Sequence, residues 1–280
     1  MLEESDKSGT PHTVVSLTFD DGWQSDALAS SILLESGIRA TFYVNSLTIG
    51  TPGHLSWAQL DQLAAAGHEI GGHTLDHPDL MRLRSAEASR AIHEDREALL
   101  AGGFAADSFA YPFGSHNGTI QRIARDCGYS SARAASGLHN LTAPKDTRPY
   151  AETVPPRNPY ALRTPCCINA ASFQGSSPTA AALANYVESA ERDGGGWIAF
   201  VFHRVCDDCG GDDPAPSISA NELRTLADWV KRRAMTGTVV RTVADVISSA
   251  SALRRRTPEE SGARGLYAHL VIVRRSWQSA

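Results

Sequence analysis

Short apolar runs alternate with stretches of helical periodicity along most of this chain. The first run, Val14 to Phe19, is rich in β-branched residues and ends at Asp20-Asp21-Gly22, which is typical of a buried strand whose carboxyl end opens into a loop. Residues 25–36 then carry apolar side chains at helical spacing, and Gly37 follows where helices commonly end. Strand, helix and strand in succession form the repeating unit of parallel α/β sheets.

The same alternation continues to the end of the pattern near residue 247. Further strands are predicted at 40–45, 68–73, 108–113, 129–133 and 195–203, and further helices at 56–67, 85–101, 117–126, 178–192 and 220–235, with 238–247 closing the pattern. Residues 134–177 are rich in Pro, Thr and Asn and predict irregular loops. About seven such units favour the α/β class, as a single-domain, distorted (β/α) barrel of about seven parallel strands.

The domain limits follow from composition. We expect residues 13–250 to form the domain, preceded by a flexible segment, 1–12, and followed by an extension, 251–280. The extension begins with a charged linker and ends in an apolar run, LYAHLVIV, that is able to dock as a strand or a helix.

Charge and hydropathy exclude two classes of partner. The chain has 26 Lys and Arg against 31 Asp and Glu, a net charge of −5, with no basic block dense enough to track a nucleic-acid backbone. Its apolar runs fall far short of the roughly 20 residues of a membrane span. The polar, acidic first dozen residues lack the pattern of a secretory signal. This predicts a cytoplasmic protein if Met1 is native, and a secreted or cell-wall protein if the sequence is a mature fragment.

The five cysteines leave the redox compartment open. They are Cys127, Cys166, Cys167, Cys206 and Cys209. Cys206 and Cys209 have the spacing of half a zinc ribbon, but no second pair follows at the expected distance. A local disulfide, free thiols and a structural metal are the three alternatives.

Two adjacent carboxylates, Asp20 and Asp21, stand at the carboxyl end of the first predicted strand. In an α/β barrel this rim is where active sites are built. Adjacent acids repel each other, so the pair is favoured where one binds a cation and the other moves protons. The alternative is a helix cap or Asx turn before the helix at residue 25.

Two histidines, His73 and His77, follow the third predicted strand at the same rim. Their spacing places both imidazoles within reach of one ion if the segment is helical, although such pairs are also common among ordinary surface and core histidines. Together with Asp21 they make a three-ligand set with open positions, which is typical of a catalytic metal.

Two more strand ends carry candidate chemistry. In Tyr111-Pro112-Phe113-Gly114, proline and glycine set a turn that can aim the Phe113 N–H into the rim as an oxyanion donor; a purely structural strand end is the alternative. The apolar run from Trp197 ends in His203, which is placed to act as a general acid or, alternatively, is a core histidine.

The order TFDDG, HTLDH, a YPFG loop and an apolar strand ending in His resembles the polysaccharide deacetylases of carbohydrate esterase family 4, which share the NodB homology domain. The resemblance covers roughly residues 13–247. Within the family, the chain is similar to a bacterial, actinobacterial branch. It implies a NodB-type deacetylase barrel in which Asp21, His73 and His77 bind one divalent metal, most commonly zinc, with cobalt or nickel as substitutes.

The resemblance also implies the remaining roles. Asp20 would be the catalytic base, His203 would protonate the departing amine, and the Phe113 N–H, flanked by Tyr111 and Gly114, would support the oxyanion.

Two departures from the family pattern are visible. Ala110 stands where the family often has an arginine that orients the catalytic aspartate, and Arg163 resembles the replacement used by members with this loop, a surface arginine being the alternative. The aspartate that normally tunes the acid histidine has no clear match, so the partner of His203 is not assigned.

The leading hypothesis is a metal-dependent N-deacetylase acting on N-acetylated amino sugars of peptidoglycan, chitin or another glucosamine polymer. A deacetylase or amidohydrolase of small N-acyl sugars or specialised metabolites is the alternative, and an inactive glycan-binding member is a third. Trp23, Trp57 and Tyr160 are candidates for stacking on sugar faces, or else core residues. The oligomeric state leaves no trace in the sequence.

Overall fold

A curled sheet of eight strands forms the centre of the fold, and every strand pair in it is parallel. The computed structural model describes residues 12–141, 143, 145–166, 178–206 and 217–255. The sheet is a half-barrel surrounded by helices, and the expectation of a single-domain (β/α) barrel is confirmed.

The strands are β1 (Thr13–Phe19), β2 (Thr41–Val44), β3 (Glu69–Gly72), β4 (Ser108–Ala110), β5 (Ser131–Asn140), β6 (Leu162–Cys166), β7 (Gly196–Phe202), β8 (Arg204–Val205), β9 (Ser217–Ile218) and β10 (Thr238–Val240). The helices are α1 (Asp26–Glu35), α2 (Trp57–Ala65), α3 (Ser85–Ala101), α4 (Gly118–Asp126), α5 (Ala180–Arg192), α6 (Ala220–Arg233) and α7 (Val243–Arg255). Strands β8 and β9 pair with each other outside the main sheet.

Strand β1 is the axis of the sheet. It pairs along its whole length with β7 on one side, while on the other side β10 pairs with its first half and β2 with its second. Beyond β2 the order continues through β3, β4 and β5 to β6. All seven residues of β1 are buried, Thr13, Ser16 and Thr18 included, which is why the sequence shows no regular alternation of apolar and polar residues.

The core is built from both faces of these strands. The ring of Phe19 stacks on that of Phe42 with centroids 5.0 Å apart, and its centroid lies 5.5 Å from that of Phe202. These three rings form an aromatic cluster that joins three strands. Fully burying a side chain of this size stabilises a fold by about 1.5–3 kcal/mol. The aromatic cluster therefore fixes β1, β2 and β7 directly below the loops at their carboxyl ends.

The prediction of irregular loops over residues 134–177 is wrong for part of that range. Strand β5 runs on to Asn140, and β6 occupies Leu162–Cys166. The register between them shifts twice, at Arg133/Gly137 and at Gly137/Asn140. These irregularities, in a segment of small and polar residues, remove the period-two pattern that identifies strands. Residues 167–177 lie outside the described part of the chain.

The chain ends and the cysteines are described in part. Residues 1–11 and 256–280 lie outside the described residues, and they include the predicted apolar run and all of the charged linker except Arg254 and Arg255. These two arginines end α7, which continues past residue 250. Cys206 is disulfide-bonded, which answers for this residue the alternatives of thiol, disulfide and metal, while Cys209 is not described. Cys127 is a free thiol.

Across the described residues, no helix combines the length and hydropathy needed to cross a membrane.

A carboxyl group is buried without a partner at the start of α1. Asp26 is fully buried, and neither of its side-chain oxygens has a hydrogen-bond partner among the described residues. Burial, reinforced by the nearby charges of Asp21 and Asp20, raises its pKa well above the usual range. The folded protein therefore holds a proton at Asp26 that the unfolded chain releases above about pH 4.

We expect Asp26→Asn to stabilise the metal-stripped protein, by about 1–3 kcal/mol at pH 7. Because the folded pKa is raised, wild-type stability falls as pH rises from about 4 toward that pKa, and the asparagine removes this loss. The advantage of the variant should thus grow from pH 4 to pH 7 in urea unfolding.

The exposed Asp61 of α2 provides the matched control, Asp61→Asn, which should show no such pH-dependent gain. An Asp26→Asn advantage that shrinks with rising pH would contradict the assignment of a protonated carboxyl.

Candidate active site

The predicted site residues gather at one rim of the half-barrel because parallel strands end on the same side. Asp20 and Asp21 follow β1, His73 follows β3, and His203 follows β7. The YPFG loop follows β4. Their proximity is therefore a product of the topology, with each side chain placed one or a few residues beyond a buried strand.

Asp21, His73 and His77 form a cluster with the composition of a metal site. Their candidate ligand atoms all lie within 4.8 Å of one another. Asp21 Oδ1 lies 3.5 Å from His73 Nε2 and 3.6 Å from His77 Nε2. One carboxylate oxygen thus faces two imidazole nitrogens.

The protonation of the cluster suits a cation. Nδ1 of the buried His73 donates to the carbonyl of Ala110 at 2.7 Å, which leaves Nε2 as the free nitrogen, and Nε2 has no hydrogen-bond partner among the described residues. Burial acts to raise the pKa of Asp21, but the close approach of His73 and the charges of the neighbouring histidines hold it far below its usual range. Burial and the charge of His73 lower the pKa of His77. Metals bind an ionised carboxylate and neutral imidazoles, so a bound ion would replace the proton that Asp21 and Asp20 favour on His73.

His73 and His77 reach each other through a loop and not through a helical turn. Thr74 and His77 both have positive φ, of 69° and 61°. Asn45 donates from Nδ2 to the carbonyls of His73 and Thr74, and Thr74 Oγ1 accepts the His77 N–H at 3.1 Å. These bonds hold a backbone shape that costs energy in isolation, which is common at functional sites.

Arg133, and not Arg163, holds Asp20. Arg133 Nη2 lies 2.6 Å from Asp20 Oδ2, and both side chains are buried. Burial acts to raise the pKa of Asp20, but Arg133, with His73 and His203, keeps it below its usual value. Asp20 is therefore ionised beside a fixed cation.

The prediction that Arg163 replaces the missing arginine is corrected by these contacts. Arg163 lies on β6, and its Nε and Nη2 donate to Glu152 at 2.8 and 2.7 Å. Glu152 is the nearer acid because its backbone pairs with Trp197 of β7, beside β6. The signal that could have drawn attention to Arg133 is an arginine in the buried first half of β5, although the sequence does not indicate its partner.

The loop after β4 has the turn that the sequence predicts. Phe113 and Gly114 have φ of 58° and 66°, and a Cβ on Gly114 would lie 2.6 Å from the Ala135 nitrogen, so this position requires glycine. The exposed Phe113 ring contacts His77 edge-on at 4.6 Å. Tyr111 is buried, and its hydroxyl donates to the carbonyl of Tyr160 at 2.9 Å.

His203 completes the rim. Its Nε2 lies 3.9 Å from Asp21 Oδ2. Burial lowers its pKa, while the charges of Asp20 and Asp21 act in the opposite direction. Its Nδ1 is buried and has no hydrogen-bond partner within the described ranges.

Comparison with known proteins relates this arrangement to one family. The polysaccharide deacetylase family model matches residues 7–132, which include both aspartates and both histidines of the cluster. A chitin deacetylase from Colletotrichum lindemuthianum is 28% identical over 153 residues, 51% of this chain and 55% of that protein. The chain spans about half, or less, of the length of the curated relatives it matches.

Two solved structures share the fold over most of the chain. A family 4 carbohydrate esterase from Streptomyces lividans, in complex with acetate, has a TM-score of 0.52 at 18% identity and covers 82% of this chain and 92% of its own. The peptidoglycan deacetylase PdaC from Bacillus subtilis has a TM-score of 0.54 at 16% identity, covering 87% and 94%. At these identities the likeness establishes the fold.

A double-mutant cycle tests which arginine is coupled to Asp20. We expect Arg133→Met to lower the free energy of unfolding by about 3–5 kcal/mol because it leaves a buried carboxylate unpaired. Adding Asp20→Asn should recover at least about 1 kcal/mol of this loss. Urea unfolding of the metal-stripped variants gives each free energy.

Arg163→Met is the matched control, and its effect should add to that of Asp20→Asn within about 0.5 kcal/mol. Coupling of Asp20 to Arg163 with none to Arg133 would overturn the assignment.

Proposed function

We propose that this chain, a member of the polysaccharide deacetylase family, hydrolyses N-acetyl groups of amino sugars in a glycan polymer such as chitin or peptidoglycan, with a divalent metal as cofactor. The observation that carries the proposal is the Asp21, His73 and His77 cluster beside an ionised Asp20. The chitin deacetylase among the relatives favours a polymer over the small N-acyl substrates of the alternative hypothesis.

Asp21, His73 and His77 are the residues that would hold the metal. The free Nε2 of His73 and the two other ligand atoms fit a first-row divalent ion such as zinc, with cobalt or nickel as alternatives. When bound, such an ion lowers the pKa of a water molecule and polarises a carbonyl. Three protein ligands leave positions open, as catalytic sites require.

Asp20 acts as the general base. It is ionised and lies beside the Asp21, His73 and His77 cluster, so it can accept a proton from the water that attacks the acetamide carbonyl. Arg133 fixes the orientation of the carboxylate by bonding to both of its oxygens. The adjacent carboxylates thus have different roles: Asp20 accepts the proton of the attacking water, and Asp21 binds the metal ion.

His203 acts as the general acid, and the turn after β4 supports the oxyanion. The C–N bond breaks as His203, in the protonated form that the charges of Asp20 and Asp21 favour, donates its proton to the nitrogen, which gives a free amine and acetate. The N–H of Phe113 donates to the tetrahedral oxyanion, and Gly114 permits the turn that presents it. Tyr111 has a structural role, because its hydroxyl donates a hydrogen bond to the carbonyl of Tyr160.

Acetate release from N-acetylglucosamine oligomers tests the proposal. We expect release to stop when the protein is chelated and to return with added zinc or cobalt. Asp20→Asn should lower kcat by about 10²–10⁴-fold because the base is lost. Asp76→Asn, an exposed aspartate between the two histidines, is the matched control and should retain activity.

Two results would count against the proposal. One is release that persists in chelated protein or in Asp20→Asn. The other is no release from chitin or peptidoglycan oligomers by protein that has bound one zinc ion per chain.

A further inference from the structure

Trp23 bonds to the carboxylate of the proposed metal ligand. Its indole N–H donates to Asp21 Oδ2 at 3.2 Å. The other oxygen, Oδ1, is the one that lies 3.5–3.6 Å from the two imidazoles. The indole therefore bonds to the oxygen that does not face His73 and His77.

The backbone between the two residues is shaped for this contact. Asp21 and Gly22 both have positive φ, of 74° and 68°. A Cβ on Gly22 would lie 3.0 Å from Val44 Cγ1, so the turn passes close to the end of β2. Two successive left-handed residues reverse the chain, which brings the side chain of residue 23 back to residue 21.

The loop before α2 holds Trp23 in place. Trp23 forms a β-bridge with His54, and the flanking bonds Gln24 N–H to Gly53 O and Leu55 N–H to Gly22 O measure 2.8 and 2.9 Å. The His54 ring stacks on the indole with centroids 4.7 Å apart.

The chain after β7 contributes a second contact. The Arg204 guanidinium lies 3.8 Å from the centroid of the Trp23 ring, a cation–π contact. Arg204 directly follows His203, so the indole links the segment that carries the proposed acid to the proposed metal ligand. With His54 and Arg204 both packed on it, the ring is used for internal contacts, which argues against a sugar-stacking role.

We propose that Trp23 is a positioning residue for the metal: its N–H fixes the Asp21 carboxylate so that Oδ1 is presented to the ion together with His73 and His77. The inference rests on the metal site of the proposed function. A hydrogen bond from N–H to an ionised carboxylate is charge-assisted and strong for its kind. Loss of such an outer contact typically weakens metal binding 10–100-fold.

Zinc affinity measured by competition with a chromophoric chelator is the direct test, on the full chain stripped of metal. We expect Trp23→Phe to raise the zinc Kd about 10-fold or more. Replacing residue 23 by benzothienylalanine removes only the N–H and keeps the bicyclic ring, so it should give a similar increase. Trp57→Phe, which alters a tryptophan packed on Phe104, should leave the Kd unchanged.

A second readout separates positioning from sugar binding. With zinc at saturation, the Trp23 variants should keep the wild-type KM for N-acetylglucosamine oligomers. A wild-type zinc Kd in the benzothienylalanine variant would overturn the inference, as would a raised KM with an unchanged Kd. Zinc affinity does not depend on turnover, so failure here is distinguishable from failure to release acetate.

Discussion

The buried ion pair between Asp20 and Arg133 requires a curled sheet. Asp20 follows β1 and Arg133 belongs to β5, with β2, β3 and β4 between them. In a flat sheet, four strand spacings would separate them by about 19 Å. A contact of 2.6 Å is possible only because the sheet curls. The same curl brings the carboxyl ends of β1, β3, β4 and β7 to one rim.

The ion pair of Asp20 with Arg133 also offsets the repulsion between the adjacent carboxylates of Asp20 and Asp21. Two ionised groups next to each other, both largely removed from water, repel strongly. Arg133 compensates Asp20, while the histidines compensate Asp21. Burial acts to lower the pKa of His73, but the nearby carboxylates of Asp21 and Asp20 raise it, so the cluster favours a positive charge beside Asp21. A divalent ion supplies that charge more fully than a proton does.

The site residues with local signals could be predicted from the sequence. Asp20, Asp21 and His203 each stand at the end of an apolar run, and strand ends of parallel sheets share a rim. The pairing of Arg133 with Asp20 could not be predicted, because the two residues are 113 positions apart and their contact depends on how far the sheet curls. The same holds for Trp23, whose role depends on the conformation of two left-handed residues and on a bridge to His54.

The division of labour between the two aspartates is tested most directly by zinc stoichiometry in two variants that differ by one position. Chelated Asp20→Asn and Asp21→Asn are each titrated with zinc, and bound metal is counted by mass spectrometry of the intact protein. We expect Asp20→Asn to bind one zinc ion per chain as the wild type does, and Asp21→Asn to lose most of its affinity. Equal loss of zinc in both variants, or loss in Asp20→Asn alone, would contradict the separation of a proton-transferring carboxylate from a metal-binding one.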